Sequence, residues 1–531
     1  MPRRLILALS FLVFWSCTAD FAPEEGVNGA YDELEAAKPT TADGMDPNIL
    51  PAYALPWEHH EPGKEDLASD FHKAHPQWYN ITEPPSGAFR PMMEWEPMQS
   101  VLIAYSDYVP GNEELAGTMV DIVVNSLDAG DVWVVHNTDT AKNDLISRVQ
   151  NAGVSQSDIN DKIRWFPMDN DAIWFIDFGP FPIVREGDDP SVAFADFRYY
   201  YDRVYDDAIP TRLGSAVGAT TYRSPFDYEG GNFQADGEKY CYFSERVYTY
   251  TGMTFEQVQT VMQDYYGCKE AVVLKDITND GTGHIDMFFK LAARDTAVLG
   301  EYTVVVDGAN EARMDENQAI LESLSYEDGT GITVYRLPFP NASTGFGETI
   351  PRTYINSTLF VSADESVKLN LWPMYSVDKD LEAEALAVWQ EAMPDWDHVG
   401  IESDLISTYS GAVHCVTRTI PAFPIEKWVA DGQCLNGACQ GDGYDGACLG
   451  GSEPTPGCWG PKWECLCNDC TTASCQVPAS CGDGTCGPGE NCYTCIQDCG
   501  CGTDELCNFV TQKCGIDRCG NGTCDEEERT A

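Results

Sequence analysis

The stretch Ser100-Val-Leu-Ile-Ala-Tyr105 decides the fold class, because it is an unbroken apolar run of strand length. Such a run is typical of a buried β-strand. The pattern over 113–127 predicts a helix, and Asp131-Val-Trp-Val-Val-His136 is a second apolar run that predicts the next strand. Short strands that alternate with helices indicate an α/β domain.

Outward from this stretch, the same alternation continues towards the C-terminus and ends near Pro421. Its further members are a helix over 138–152, strands over 163–167, 302–307 and 332–337, and a helix over 381–392. We therefore predict one α/β domain over 86–425. At 531 residues, the chain is too long to consist of this domain alone.

The N-terminus has the form of a secretory signal, which we predict to occupy residues 1–17. Two arginines precede an apolar run over 5–15, which is too short to span a bilayer. Cys17 after Ser16 is similar to a bacterial lipobox, although Phe14 stands where leucine is usual. Lipid attachment at Cys17 and simple cleavage nearby both remain open. We expect the protein to be secreted or held at the cell surface, as an outer-membrane lipoprotein if Cys17 is lipidated.

The chain is strongly acidic, with 85 acidic residues against 32 basic ones and a formal net charge of -53. This balance argues against nucleic acid as a partner, because its binding requires a basic surface. A negative field attracts cationic substrates, although an acidic surface also simply keeps an extracellular protein soluble. Residues 18–85 are acidic and show no helical or strand period, so we expect a flexible linker there.

The cysteines are unevenly distributed, since eighteen of the 22 lie between Cys434 and Cys524. Within this region, Cys481-Gly-Asp-Gly-Thr-Cys486 recurs as Cys519-Gly-Asn-Gly-Thr-Cys524. Such density in an exported chain predicts a disulfide framework with little regular structure over 426–531. Metal binding by this region is the alternative, and the absence of histidine from the region disfavours it.

Four segments concentrate the reactive side chains, and the first two contain glycine-rich turns. Trp174-Phe-Ile-Asp177 precedes Gly179-Pro180, so we expect a strand to run into a turn and to present Trp174 and Asp177 at its end. Glu229-Gly-Gly-Asn232 places a carboxylate beside two glycines, where backbone can approach a ligand closely. Alone, each segment is more simply explained as an ordinary turn.

The third segment, Gly283-His284-Ile-Asp286, places a histidine and a carboxylate two residues apart. On a strand, His284 and Asp286 would share a face, and an imidazole beside a carboxylate is the minimum for acid–base catalysis. The preceding Asp276-Ile-Thr-Asn-Asp280-Gly also begins like a calcium loop. Met287 stands where the closing glutamate of such a loop is required, which disfavours calcium.

The fourth segment, Ser410-Gly-Ala-Val-His414-Cys415-Val-Thr417, contains the last cysteine before the cysteine-rich region. A free cysteine is commonly an inert buried side chain. This segment alone therefore does not identify Cys415 as a nucleophile.

Together, the four segments resemble the family of bacterial peptidylarginine deiminases and agmatine deiminases. Members carry Trp-x-x-Asp before Gly-Pro, then Glu-Gly-Gly, Gly-His-x-Asp and Gly-x-x-His-Cys-x-Thr, and the chain matches all four in this order. Arg90-Pro-Met-Met-Glu94-Trp-Glu-Pro-Met98 and Tyr354-Ile-Asn356 are similar to two further family segments. The resemblance covers about residues 90–420. One residue departs from it, because Ile176 stands where the family usually has arginine.

The resemblance implies the pentein fold, a five-bladed α/β propeller of ββαβ units, and the hydrolysis of a guanidinium group to a ureido group with release of ammonia. It implies neither a metal nor an organic cofactor. The roles that it implies are Cys415 as the nucleophile that forms an amidino-thioether, His284 as the acid and base, Asp177 and Asp286 as the pair that grips the guanidinium, Glu229 as the carboxylate that orients His284, and Asn356, Trp174, Asn232 and Arg203 as substrate-binding residues.

The resemblance leaves the substrate open between two classes. Export favours arginine-containing peptides or proteins, because agmatine, the alternative, is chiefly an intracellular metabolite. Secreted relatives hold the carboxylate of the substrate with arginines after a Phe-Arg-Tyr segment. Here Arg203 follows Phe197-Arg198-Tyr199, but Tyr201 stands where a further arginine is expected.

Two other classes of function are weighed against the deiminase. A surface binding module with an inactive site is disfavoured because every reactive residue is retained. A papain-like peptidase is disfavoured because the chain lacks the Cys-Gly-Ser-Cys-Trp signature and because that reading gives the two carboxylates no role.

Overall fold

The computed structural model describes residues 49–55, 58, 70–187, 190–278, 280–302, 304–345 and 348–425, together with four short strands beyond them. The predicted signal over 1–17 lies outside the described residues. So does the predicted cysteine-rich region over 426–531, apart from two antiparallel strand pairs, Cys434–Leu435 with Ala438–Cys439 and Glu505–Asn508 with Lys513–Ile516. Within the described ranges, no helix combines the length and the apolarity that a membrane crossing requires.

The helices of the described chain are, in order, α1 (Asp70–Ala74), α2 (Glu113–Ser126), α3 (Asp139–Asn151), α4 (Gln156–Lys162), α5 (Phe175–Phe178), α6 (Val204–Val217), α7 (Arg246–Thr251), α8 (Phe255–Tyr266), α9 (Val304–Ser323), α10 (Lys379–Ala392) and α11 (Asp404–Ser407). The strands up to residue 425 are β1 (Phe89–Pro91), β2 (Met98–Tyr105), β3 (Asp131–His136), β4 (Ile163–Pro167), β5 (Phe181–Arg185), β6 (Ser191–Arg198), β7 (Thr221–Asp227), β8 (Gln234–Ala235), β9 (Tyr240–Ser244), β10 (Glu270–Leu274), β11 (Phe289–Ala293), β12 (Thr296–Glu301), β13 (Thr333–Pro338), β14 (Ser343–Gly345), β15 (Glu348–Ile350), β16 (Thr358–Val361), β17 (Lys368–Met374), β18 (Asp397–Glu402) and β19 (Arg418–Pro421).

The stretch that begins the domain folds as its apolar pattern predicts. β2, α2 and β3 follow one another, and β2 pairs in parallel with β3. Helix α2 begins after Asn112, whose side chain accepts a hydrogen bond from the Leu115 backbone N–H. This cap satisfies one of the free donors of the first turn. The predicted elements that became α3, β4, β13 and α10 are also confirmed, to within two residues at each end.

The strand predicted over 302–307 is wrong. β12 ends at Glu301, which is also the last residue of its parallel pairing with β13, and α9 begins at Val304. A short apolar run does not distinguish a buried strand from the start of a helix. The strand that pairs with β13 is β12, Thr296–Glu301, which ends just before the predicted run over 302–307.

Five sheets of the described domain share one arrangement, in which two antiparallel neighbours are followed, across a helix, by a third strand parallel to the second. These sets are β19-β2-β3, β5-β6-β7, β8-β9-β10, β11-β12-β13 and β16-β17-β18. β19 comes from the C-terminal end of the domain and pairs with β2 from its N-terminal end. The mixed α/β class is therefore confirmed, with a repeated ββαβ unit.

Among the described residues that precede the domain, several pack onto it, which differs from the flexible linker expected over 18–85. The Ala52 backbone N–H donates to the Tyr409 carbonyl at 2.9 Å, and Ala52 is fully buried. Further along, the Tyr79 hydroxyl donates to the Val204 carbonyl at 2.7 Å. The linker prediction rested on the lack of a period, but a short segment that lies on the surface of a finished domain needs none.

Candidate active site

Four of the predicted catalytic residues and the predicted substrate-binding residue Asn356 each lie just before the first strand of a repeated unit. Asp177 lies in α5 before β5, Glu229 precedes β8, Asp286 precedes β11, Asn356 precedes β16 and Cys415 precedes β19. All five residues are at most 1% exposed. The five units thus contribute equivalent positions, and the contacts described below bring these positions together in one buried site.

Two segments of this site differ locally from the strands predicted for them. Asp177 lies in the one-turn helix α5, where its backbone N–H donates to the Trp174 carbonyl at 2.9 Å. His284 has extended backbone, whereas Asp286 lies in the 3-10 turn Ile285–Met287. The two side chains therefore share the site because of this turn and not because of strand alternation.

Asn356 fixes the turn that carries the thiol. Its Oδ1 accepts hydrogen bonds from the backbone N–H groups of His414 and Cys415, at 3.0 and 3.2 Å. Its Nδ2 lies 3.1 Å from the Cys415 Sγ. Asn356 thus holds the backbone of this turn beside the Cys415 thiol.

Gly231 allows three polar groups of the site to approach one another. Its backbone N–H donates to Asp177 Oδ1 at 2.9 Å. A Cβ at this position would lie 2.5 Å from His284 Nδ1 and 3.2 Å from Asp286 Oδ2, so a larger side chain does not fit. The Glu-Gly-Gly motif was the available sequence signal, but it did not show which glycine is required or why.

Glu229 and Asp177 both face the imidazole of His284. Glu229 Oε2 is hydrogen-bonded to His284 Nε2, and Asp177 Oδ1 lies 3.5 Å from Nδ1. Burial alone would lower the pKa of His284, but the Asp177 and Glu229 carboxylates together raise this pKa to about 10. His284 is therefore protonated at neutral pH, which is the state that a general acid requires.

The Cys415 thiol keeps its proton in the unliganded site. Burial, followed by the negative charges of Asp286 and Asp177, raises the pKa of Cys415 well above its usual value. Burial also raises the pKa of Asp177, whereas the positive charge of His284 opposes this rise. A cation placed among these groups would stabilise the thiolate.

Three buried polar atoms around the thiol have no hydrogen-bond partner within the described part of the chain, namely Asp177 Oδ2, Asp286 Oδ1 and His284 Nδ1. Buried polar atoms are nearly always paired, so such a cluster indicates a ligand site. Two carboxylate oxygens match a planar cation with several N–H donors. The other oxygen of Asp286 lies 3.8 Å from the Cys415 Sγ, which places this carboxylate beside the thiol.

Two other residues predicted to bind substrate each have a side-chain partner in the protein, although the buried Asn232 Nδ2 has none among the described residues. The Trp174 indole N–H donates to the Leu50 carbonyl at 2.8 Å. Asn232 Oδ1 accepts a hydrogen bond from the Ser244 backbone N–H at 2.8 Å. Asn232 thus connects the Glu-Gly-Gly turn to the end of β9.

Arg203, which the sequence suggested as a ligand for a substrate carboxylate, is bound to a carboxylate of the chain itself. Its Nε and Nη2 each donate to Glu58 at 2.8 Å, and Arg203 is 1% exposed. The Tyr53 carbonyl accepts a further bond from Nη2 at 3.0 Å. A substrate carboxylate would have to displace Glu58, which lies in the segment expected to be a linker.

The site has the parts of a hydrolase that attacks the central carbon of a guanidinium or amidine: a thiol, an imidazolium between carboxylates, and two carboxylate oxygens open to a cation. The sequence model of the Porphyromonas-type peptidyl-arginine deiminases matches residues 90–421. The chain belongs to this family, whose members are hydrolases that act on C–N bonds of amidines.

Relatives agree with this assignment. The protein named "Putative agmatine deiminase" from Vibrio parahaemolyticus is 26% identical over 380 residues, which cover 64% of this chain and 99% of the relative. A protein of the same name from Marinomonas sp. is 21% identical over 295 residues, which cover 49% of this chain and 77% of the relative.

Solved structures show the shared fold. A "Putative Arginine Deiminase" from Porphyromonas gingivalis is 21% identical with a TM-score of 0.55, and the match covers 64% of this chain and 100% of that chain. The agmatine deiminase of Enterococcus faecalis is 17% identical with a TM-score of 0.55, over 64% and 99% of the two chains.

Proposed function

We propose that the protein is a secreted deiminase that hydrolyses the guanidinium groups of arginine residues in peptides or proteins, which yields citrulline and ammonia. The observation that carries this proposal is the pair of unpartnered oxygens, Asp177 Oδ2 and Asp286 Oδ1, on two carboxylates that both act on the Cys415 thiol. Two carboxylates can bind the paired N–H groups of a guanidinium and leave its central carbon open to a thiolate.

In the first half of the reaction, the bound cation lowers the pKa of Cys415, and the thiol releases its proton to solvent and becomes a thiolate. The sulfur bonds to the guanidinium carbon. The bond from this carbon to a terminal nitrogen then breaks, as His284 gives its proton to the leaving ammonia. The product is an amidino-thioether on Cys415, with a neutral His284 held by Glu229.

In the second half, His284 takes a proton from a water molecule, whose oxygen bonds to the same carbon. The carbon–sulfur bond breaks, the ureido product leaves, and the Cys415 thiolate and the protonated His284 are restored. The second proton of the water passes to solvent, where the released ammonia binds it as ammonium, and the Cys415 thiolate regains its own proton from solvent after the product has left. Asn356, 3.1 Å from the Cys415 Sγ, keeps the sulfur in place through both halves.

Features outside the site support an extracellular substrate. The secretory pattern over 1–17 and the cysteine-rich region over 426–531 are typical of an exported protein. Inside the domain, Cys241 and Cys268 form a disulfide, and such bonds persist in oxidising environments. Lipid attachment at Cys17 would hold the enzyme at the cell surface, near peptides and proteins that carry arginine.

Agmatine is the second candidate substrate, and two observations favour it. The relatives from Vibrio parahaemolyticus and Marinomonas sp. are both named as agmatine deiminases. In addition, Arg203 is bound to Glu58 and is thus engaged within the protein. Agmatine has no carboxylate, so its binding would leave this ion pair intact.

We also propose that the five ββαβ units surround the site as the blades of a pentein propeller. Each unit contributes one of the predicted site residues from the same position, just before its first strand. The pairing of β19 with β2 joins the two ends of the domain, as a ring of blades requires.

The test measures both products. The full-length protein is incubated with blocked arginine peptides and with agmatine, and mass spectrometry identifies citrulline or N-carbamoylputrescine. We expect the higher kcat/KM for the peptides. A higher value for agmatine would support the second candidate. No ureido product from either substrate would show that the domain is an inactive binding module.

A further inference from the structure

Behind Asp286 lies a row of three polar side chains, largely shielded from solvent, that the reaction does not use directly. His414 Nδ1 is 2.8 Å from Asp286 Oδ2, and His414 Nε2 is 2.9 Å from Glu94 Oε1. Lys290 Nζ is hydrogen-bonded to the other oxygen of Glu94. We call the three side chains Lys290, Glu94 and His414 the Asp286 support.

The members of the support are well shielded from solvent. The side chains of Lys290, Glu94 and His414 are 1%, 14% and 3% exposed. They come from different parts of the chain: Glu94 precedes β2, Lys290 lies in β11, and His414 lies in the turn that carries the thiol. The support therefore ties Asp286 to the unit that carries the nucleophile.

The hydrogen-bond pattern requires a proton between His414 and Asp286. Burial favours a neutral Glu94, but Lys290 and His414 outweigh it and hold the pKa of Glu94 well below its usual range. An ionised Glu94 can only accept, so His414 Nε2 carries a hydrogen. Two lone pairs at 2.8 Å would repel each other, so a hydrogen also lies between His414 Nδ1 and Asp286 Oδ2.

The two oxygens of Asp286 therefore have different surroundings. Oδ2 is bound by His414, whereas Oδ1 has no hydrogen-bond partner within the described residues. A carboxylate bound through one oxygen cannot rotate freely, so its second oxygen keeps a fixed direction. A site that must meet a planar cation with two carboxylates depends on such fixed directions.

We propose that Lys290, Glu94 and His414 are positioning residues, which hold Asp286 Oδ2 so that Oδ1 stays directed at the guanidinium of the substrate. This inference rests on the proposed function, because it assumes that a cationic group binds between Asp177 and Asp286. Glu94 and Lys290 act on the substrate only through His414 and Asp286.

The test compares two reagents that alkylate Cys415 in the full-length protein. Chloroacetamidine is a cation that resembles a guanidinium and uses the carboxylate pair, whereas iodoacetamide is neutral and does not. Each rate is divided by the rate of the same reagent with free cysteine, and the ratio of the two normalised rates measures the grip on the cation. In the unaltered protein, we expect this ratio to exceed one.

Glu94→Gln should lower this ratio by about tenfold or more, because His414 loses its charged partner and Asp286 loses its fixed direction. The rate with iodoacetamide should stay within about twofold, since a thiol in an intact fold does not need the support. Because Glu94→Gln leaves Lys290 buried without a counter-charge, the double variant Glu94→Gln/Lys290→Met is measured as well. It removes both charges and should show the same fall.

Glu96→Gln is the matched control. Glu96 lies two residues from Glu94 and is also a buried carboxylate in an ion pair, with Arg90 Nη2 at 2.6 Å, but its contacts are with Arg90 and the Met93 N–H. Its removal should leave the ratio unchanged. A fall in Glu96→Gln equal to that in Glu94→Gln would overturn the inference, because general damage to this segment would then explain both.

Two further results would overturn the inference while leaving the proposed function intact: an unchanged ratio in both Glu94 variants, or equal losses with both reagents. In contrast, a ratio of one or less in the unaltered protein would contradict the carboxylate grip itself. That result would remove the proposed function together with the support, so the two failures are distinguishable.

Discussion

Asp177 and Asp286 face the same thiol, yet the protein holds them by different means. Asp177 Oδ1 accepts a hydrogen bond from the Gly231 backbone N–H at 2.9 Å. Asp286 Oδ2 is bound by the side chain of His414 at 2.8 Å, and His414 in turn contacts Glu94. A backbone donor is fixed by the path of the chain, whereas a side-chain donor must itself be held in one rotamer. One half of the site is thus built by backbone geometry and the other half by a series of charges.

The largest expected effect comes from a variant that stops the reaction but leaves the contacts that fix Asp177 and Asp286 in place. Cys415→Ser removes the nucleophile and leaves Asp177 and Asp286 in place, so turnover should fall by about 10⁴-fold or more. The Kd of the substrate, measured by calorimetry on the same variant, should change by less than about fivefold. Near-normal turnover would rule out the covalent reaction. A much higher Kd would show that the thiol itself contributes to binding of the substrate cation.

The two carboxylates can be compared directly in Asp177→Asn and Asp286→Asn. Each variant should lower kcat/KM by about 10²- to 10³-fold, because a charged hydrogen bond to the cation is lost. Asp286→Asn should cost more, since it also leaves His414 facing a neutral amide. Steady-state kinetics measure the difference. If Asp286→Asn binds the substrate as tightly as the unaltered protein does, the grip is assigned to the wrong pair.

The backbone hold on Asp177 is tested by Gly231→Ala. The added Cβ would lie 2.7 Å from Asp177 Oδ1 and 2.5 Å from His284 Nδ1, so both groups must shift. We expect kcat/KM to fall about 10- to 100-fold, and unfolding in urea to show a loss of about 1–3 kcal/mol. Gly117→Ala is the control. Gly117 lies in helix α2, and a Cβ at this position meets nothing within 4 Å. Equal behaviour of the two variants would show that the close approach at Gly231 is unimportant.

The pH dependence of Cys415 alkylation measures how strongly each carboxylate acts on the thiol. Only the thiolate reacts, so the midpoint of the iodoacetamide rate against pH follows the pKa of Cys415. Burial, then Asp286, then Asp177 raise this pKa. Removing either negative charge should therefore move the midpoint to lower pH, and Asp286→Asn should move it further than Asp177→Asn. The reverse order would show that Asp177 lies closer to the thiol in solution.

The smallest expected effect concerns the ion pair between Glu58 and Arg203, which lies outside the two carboxylates compared above. Glu58→Gln weakens the bond to Arg203, and this should help substrates that carry a free carboxylate. We expect the ratio of kcat/KM between a peptide ending in arginine and its amidated form to rise by about threefold. The matched pair of peptides is the internal control. An unchanged ratio would mean that Arg203 does not meet the substrate.

Local patterns predicted a large part of the fold. Two apolar runs and one helical period were sufficient to predict β2, β3 and α2. Burial of these elements imposes their period on the sequence. The same argument was wrong for 302–307, since a short apolar run is equally suited to the start of a helix. It was also wrong about the backbone of Asp286, because a single 3-10 turn has no period that a sequence can show.

The sequence by itself determined the α/β class, through the period of its apolar runs, and it determined the family and the residue types of the candidate site through short motifs such as Gly283-His284-Ile-Asp286. Only the tertiary structure decided what holds each group of the site. Gly231 binds Asp177, His414 binds Asp286, and Glu58 forms an ion pair with Arg203. The physical reason is the distance along the chain. These contacts join residues that meet only after separate units have packed, so no local spacing or period records them.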